Sequence, residues 1–213
     1  MSVRRSLISL GVALAAISCS EANAPSVPST PLLQTTSTAM AGSVPHILRQ
    51  STGAELESYS VSFWAVKGRP ATARVKYKDA QSAFAGGLTF LEFNVPKAGL
   101  DRAPNGQRIR MGDSVQITLT VDPTLLKVDF QPAGLQFSDR DPATLAMSYV
   151  GADPDFNADG TVDAADAVVA SQLAIWYAPD SASSWAALES KISGNNGTVD
   201  TKVYHFSGYS VAW

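Results

Sequence analysis

The stretch Ala71-Thr72-Ala73-Arg74-Val75-Lys76-Tyr77-Lys78 alternates small or apolar residues with polar ones at every step. Successive side chains of a strand point to opposite faces, so this period of two puts Ala73, Val75 and Tyr77 on a core face and Thr72, Arg74 and Lys76 in water. The same alternation recurs at 59–65, 91–95, 115–121 and 145–149. Turn chemistry separates these runs: Gly68-Arg69-Pro70, Gly86-Gly87, Pro104-Asn105-Gly106, Asp122-Pro123 and Asn195-Asn196-Gly197. Asn-Gly supplies the positive φ of a tight hairpin, and Pro presets a turn. Short half-buried strands with frequent turns predict an all-β fold, an antiparallel β-sandwich spanning residues 46–213. The last ten residues, Tyr204-His205-Phe206-Ser207-Gly208-Tyr209-Ser210-Val211-Ala212-Trp213, carry aromatic and β-branched residues to the end, which predicts a tied-down C-terminus with Trp213 in the core.

At 213 residues and 45% hydrophobic content the chain can bury one sizeable core. Its net charge is −3, with charged residues at only 16%, so no basic face invites nucleic acid. Cys19 is the single cysteine, which excludes a disulfide within one chain and any thiolate metal cluster.

The N-terminus reads as an address. Arg4 and Arg5 precede the apolar run 7–17 and then small residues, the pattern of a signal peptide over residues 1–18. The run is too short to span a bilayer, which takes about 20 apolar residues. Arg4-Arg5 also weakly resembles a twin-arginine signal, though two arginines suit any such leader. Residues 19–45 are rich in Ser, Thr, Pro and Ala and nearly free of charge, the composition of a disordered linker.

A second feature stands apart from the strands: Asp155-Phe156-Asn157-Ala158-Asp159-Gly160-Thr161-Val162-Asp163-Ala164-Ala165-Asp166. Calcium takes six to eight oxygen ligands, and alternate residues of a tightly turned loop supply them. Asp155, Asn157 and Asp159 offer side-chain oxygens at positions one, three and five, Gly160 permits the turn at six, and Thr161 offers its carbonyl at seven. Asp163 at nine binds directly or through water, Asp166 stands at twelve, and Val162 at eight is expected to turn inward. The plain alternative is an Asp-rich solvated turn, since Asp, Asn and Gly are turn formers by themselves. Against it stand five acids from Asp153 to Asp166 with no Lys or Arg among them, which would repel one another without a cation. Ala165, Val168, Val169, Leu173 and Trp176 follow at helical spacing, so residues 155–176 are predicted to form a calcium loop and helix inserted before the last strands.

Three resemblances bear on this reading. Ala15-Ala16-Ile17-Ser18-Cys19 resembles the lipobox of bacterial lipoproteins, which implies a lipidated Cys19 and a membrane anchor in the cell envelope, at the outer membrane or cell surface. Ordinary secretion is the other possibility, with cleavage after Ala22-Asn23-Ala24, although Pro25 then follows the cut. The loop resembles those of EF-hands and dockerins, and Asp166 at twelve matches the dockerin form, as does Asp163-Ala164-Ala165-Asp166-Ala167-Val168-Val169. Finally, Phe130-Gln131-Pro132-Ala133-Gly134-Leu135-Gln136-Phe137, Pro142-Ala143-Thr144-Leu145-Ala146-Met147-Ser148-Tyr149 and the closing residues 205–211 resemble bacterial surface modules related to the β-sandwich of ankyrins and netrin receptors. Segments 62–77 and 90–120 resemble predicted lipoproteins of soil bacteria. These likenesses imply a fold and an address, not an activity.

Three function classes follow. The first is a non-catalytic, envelope-tethered calcium-binding structural or interaction module. The second is a calcium-dependent carbohydrate- or protein-binding module of dockerin or lectin kind, suggested by the loop and by Trp176, Tyr177 and Trp185; no second loop follows in 177–197, however, where a full dockerin has one. The third and least favoured is a hydrolase using paired carboxylates. Only His46 and His205 are available for base chemistry, and the chain has no Gly-x-Ser-x-Gly, phosphate loop or His-Glu-x-x-His. No catalytic residue is therefore assigned, and the protein or glycan partner stays unidentified.

Overall fold

The computed structural model describes residues 44–78, 88–178 and 184–213, all within one compact unit, Ser37–Trp213. The leader, Cys19, most of the linker and the Gly86-Gly87 turn lie outside the described residues.

Among the described residues thirteen strands and one short helix follow in chain order: β1 Ser60–Val66, β2 Ala71–Lys76, β3 Thr89–Val95, β4 Leu100–Arg102, β5 Ser114–Val121, β6 Lys127–Gln131, β7 Gln136–Phe137, β8 Ala143–Ser148, α1 Ala164–Ala170, β9 Ala174–Ala178, β10 Ala186–Ala187, β11 Ser190–Ser193, β12 Thr198–Val203 and β13 Gly208–Ala212. They form an antiparallel β-sandwich. One sheet runs β1-β5-β6-β13-β9-β10, the other β11-β12-β8-β3-β2, and β4 pairs with β7 apart from both. The alternation read in 71–78 is realised on β2, where Ala73 and Val75 are buried and Thr72, Arg74 and Lys76 exposed. Register places Arg74 opposite Glu92, and their side chains meet at 2.6 Å. An exposed pair of this kind contributes little, about 0–1 kcal/mol.

The core fills the gap between the sheets. Phe93 of β3 and Phe130 of β6 face each other across it with ring centroids 4.9 Å apart, and Phe137, Phe206 and Tyr209 complete the cluster. Each fully buried apolar side chain stabilises the fold by about 1.5–3 kcal/mol, so this cluster and the aliphatic residues packed around it are a main source of stability.

Both chain ends of the domain are fastened to it. Residues 46–48 lie along the end of β13, with the Leu48 N–H donating to the Val211 carbonyl at 3.0 Å and the His46 N–H to that of Trp213 at 3.1 Å. Trp213 departs from the sequence expectation: its ring is 37% exposed and stacks on His46 at 5.3 Å, so the terminus is tied down at the rim rather than in the core. The closing segment is also not one strand. Tyr204 to Ser207 form a connection, and only Gly208–Ala212 continue as β13.

Candidate metal centre

The loop that links β8 to α1 starts from a fixed base. Gly151 lies against Tyr77, whose hydroxyl accepts from the Gly151 N–H at 3.2 Å, and a Cβ at Gly151 would stand 2.6 Å from that ring. On the other side the Gly151 carbonyl accepts from the Ser51 N–H at 2.9 Å, and the Asp153 N–H donates to the Arg49 carbonyl at 2.9 Å. The N-terminal segment thus grips the residues that enter the loop.

Within the loop the side-chain oxygens turn to the loop's own backbone. Asp155 accepts from the Asp159 N–H at 3.1 Å and the Gly160 N–H at 2.8 Å. Asn157 Oδ1 accepts from the Asp159 N–H at 3.0 Å, and Asp159 Oδ1 from the Thr161 N–H at 2.9 Å. This winding requires left-handed backbone at Gly160, φ 88°, as its place in the sequence foretold, and also at Ala158, φ 58°, which was not foreseen. An L-residue there costs roughly 1–2 kcal/mol, a strain that the ring of N–H bonds offsets.

Asp163 is the N-cap of α1, accepting from the Ala165 N–H at 2.7 Å, and Asp166 answers it by accepting from the Asp163 N–H at 2.8 Å. This reciprocal box satisfies donors that a helix start leaves orphaned. The other oxygen of Asp166 reaches back across the loop to the N–H groups of Phe156 at 2.7 Å and Asn157 at 3.2 Å. Asp166 is only 4% exposed. The Asp163 N–H, then those of Asn157 and Phe156, hold its carboxyl below the usual aspartate range, against the opposing effect of burial.

Three expectations need correction. Val162 is 62% exposed and does not turn inward. The helix ends at Ala170 with Ser171 as its C-cap, so Trp176 belongs to β9 and the helical insertion is shorter than 155–176. On α1 only Asp166 and Val169 are buried, and Val168 is 57% exposed. Two anchors of the loop were missed. The Trp213 indole N–H donates to the Phe156 carbonyl at 3.0 Å, and the Phe156 ring meets Tyr149 edge-on at 6.3 Å. The available signal was the aromatic residue at loop position two and another at the chain end.

As a metal site the loop offers oxygen donors only, the chemistry calcium takes. Asp155, Asn157 and Asp159, the Thr161 carbonyl and Asp163 are the exposed or half-buried members. A carboxylate has about four lone-pair sites, so an oxygen that accepts one N–H keeps capacity for a cation. At Asp166 one oxygen already takes two N–H groups, which leaves the other, with one, as the available donor. Among the described residues no three His, Cys, Asp or Glu side chains stand together as a ready cation cage. Calcium would have to draw these carboxylates inward from their backbone partners, so the donor set fits while its arrangement is that of a self-capped loop.

Elsewhere the ionisable groups are dispersed. His205 is partly buried beside Tyr177, ring centroids 5.2 Å apart, and burial lowers its pKa. An open groove of about 340 Å³ is lined by Glu189, Asp200, Lys191, Lys202 and Tyr204. Burial raises the Asp200 carboxyl, Lys191 opposes and Glu92 adds to the rise. Trp176 is buried, Tyr177 and Trp185 are half-buried, and the three form no exposed aromatic platform. Among the described residues no helix is long and apolar enough to cross a membrane. Comparison with protein-family models, curated proteins and solved structures gave no match.

Proposed function

We propose that this chain is an exported, lipid-anchored β-sandwich whose acidic loop binds calcium as a brace, making it a non-catalytic structural or interaction module of the cell envelope. One observation carries the proposal: the loop is fastened to both ends of the domain, by Arg49 and Ser51 at its base and by Trp213 at Phe156. A cation gathering Asp155, Asn157, Asp159, Thr161, Asp163 and Asp166 would stiffen the place where the two chain ends meet. The loop is preceded by the turn at Gly151 and followed by the single helix described, so no helix pair is present to open as in a calcium sensor. The anchor at Cys19 and the likeness to ankyrin and netrin-receptor sandwiches rest on sequence pattern.

Titration calorimetry of the chain with calcium tests the metal, with binding expected in the micromolar to millimolar range of extracellular modules. Absence of heat, or heat that Asp159→Ala leaves unchanged, defeats the proposal. Incorporation of a labelled fatty acid that Cys19→Ala abolishes tests the anchor.

A second reading has one specific observation in its favour. Val162 and Val168, on the loop and on α1, are both more than half exposed, which suits a calcium-dependent protein-binding face. Capture of a protein partner that requires calcium and is lost in Val162→Asp would favour it over bracing.

A further inference from the structure

Asparagine is followed by glycine at two places, Asn105-Gly106 and Asn196-Gly197, and both pairs lie in turns. Such a pair is chemically labile in water. The backbone nitrogen after the asparagine can close a five-membered ring on the side-chain amide carbon, and a glycine there has no Cβ to obstruct the approach. Whether the ring closes depends on whether the two reacting groups are free, and in this respect the pairs differ.

At Asn105-Gly106 both groups are engaged. The Gly106 N–H donates to the Ala103 carbonyl at 2.8 Å, and Asn105 Oδ1 accepts from the Gln107 N–H at 3.0 Å. The attacking nitrogen and the amide it would attack are both held, so this turn must open before it reacts. At Asn196-Gly197 neither group is held. Asn196 is exposed and its own N–H closes the turn on the Ser193 carbonyl at 3.1 Å, but among the described residues no hydrogen bond takes its side chain or the Gly197 N–H. The surroundings nevertheless keep the pair in place. Ser193 of β11 is paired with Thr198 of β12, and the Gly197 carbonyl accepts from the Tyr149 N–H at 2.9 Å. Gly197 has a φ of 60° and is buried against Val150, whose side chain a Cβ would overlap, so the position demands glycine.

We propose that Asn196 is a site of spontaneous deamidation in the folded protein, and that the reaction loosens the join between the β11–β12 hairpin and the base of the acidic loop. The Gly197 nitrogen bonds to Asn196 Cγ, and the side-chain nitrogen leaves as ammonia with the proton of the Gly197 N–H, which gives a succinimide ring. Water then opens the ring at either carbonyl carbon. Opening at Cγ gives aspartate, and opening at the backbone carbonyl carbon gives isoaspartate, whose chain runs through the side chain and is longer by one carbon. Overall one water is consumed and one ammonia released, with no oxidation and no need of a metal. The extra carbon enters next to Gly197, the acceptor for Tyr149 and the neighbour of Val150, and these two residues lead directly to Gly151 at the base of the loop. A longer chain there pulls on the Tyr149 bond.

The experiment ages the full chain in warm, mildly alkaline buffer and follows the peptides that contain residues 105 and 196 by mass spectrometry, with fragmentation that separates aspartate from isoaspartate. Conversion at Asn196 is expected to be at least about fivefold faster than at Asn105, the factor imposed by a turn hydrogen bond that must break first. In denaturant the two rates should become alike, since glycine follows in both pairs. Asn196→Gln, which would need a larger ring, should stay unconverted at 196. Hydrogen exchange at the Tyr149 amide should be faster in aged than in fresh protein, and unchanged by ageing in Asn196→Gln. Conversion at Asn105 as fast as at Asn196 in the folded chain overturns the proposal. So does an intact Asn196 over a period in which the denatured chain converts. Tyr149 exchange that ignores conversion at 196 overturns the structural consequence.

Discussion

In the sandwich interior, Phe130 lies 4.9 Å from Phe93 and 4.8 Å from Phe206, and nothing within that cluster carries a charge. In the loop at 155–166 the contacts are carboxylate to N–H, most of the residues are exposed, and only Asp166 is buried. The first region is held by removing apolar area from water, which depends little on pH, salt or ions. The second is held by ionised groups capping backbone donors, bonds that depend on protonation and are weakened by solvent at the exposed positions. One domain thus contains a part indifferent to its ionic surroundings and a part governed by them.

The sharpest way to break the contrast is Phe130→Ala. It leaves a cavity between the sheets and should lower the unfolding free energy by about 3–5 kcal/mol, read from denaturant titration. If the two sites act independently, the loss should be the same with calcium and with chelator. A loss that shrinks when calcium is added would show the two regions to be one cooperative unit.

The next effect belongs to the loop. If the loop binds calcium as proposed, calcium at about one hundred times its dissociation constant should stabilise the fold by about 2.7 kcal/mol and raise Tm by roughly 5–10 °C for a domain of this size. Asp159→Ala should remove that rise while leaving the metal-free Tm nearly in place, since Asp159 is exposed and bonds only within the loop. An unchanged calcium response in Asp159→Ala would mean that the cation stabilises the domain from some other place.

How much of this was legible in the sequence also divides along the same line. The sandwich was readable because burial on one face imposes a period of two, which Arg74 and Lys76 make plain by alternating with Ala73, Val75 and Tyr77. The Asx-rich loop was readable because its glycine and acids sit at fixed spacings. What failed was the join between them. Leu173 and Trp176 continue the spacing of a helix, yet Ser171 caps α1 and pairing with β13 draws 174–178 into the sheet. That pairing partner is far away in the chain, so no local pattern announces it. β12, whose Thr198-Val199-Asp200-Thr201-Lys202-Val203 alternates as cleanly as β2, was legible and was passed over. The inward turn expected of Val162 assumed a covering neighbour that is absent among the described residues, and the role of Trp213 depends on a fold in which residue 213 returns to residue 156.

Acid should separate the two regions without mutation. The Asp166 carboxyl is held below its ordinary range, so its contribution is complete above the unfolded value near 3.9 and is lost as pH falls through the lower folded one. Hydrogen exchange at the Phe156, Asn157 and Asp163 amides should therefore accelerate below about pH 4, while amides of β3 and β8 stay protected. Asp166→Asn should make those loop amides exchange alike on both sides of that range. Simultaneous loss of protection in the strands would mean that the loop cannot open alone.

The smallest effect tests the one bond that links loop and terminus. Trp213→Phe keeps an aromatic ring beside His46 but removes the indole donor to the Phe156 carbonyl. At a site this exposed the lost hydrogen bond should cost about 0.5–1 kcal/mol, near the lower end for such bonds. If calcium braces the domain by locking this junction, Trp213→Phe should also reduce the calcium-dependent rise in Tm, although Trp213 supplies no ligand. If the rise is undiminished, the cation stabilises only the loop itself, and the two regions are neighbours without being coupled.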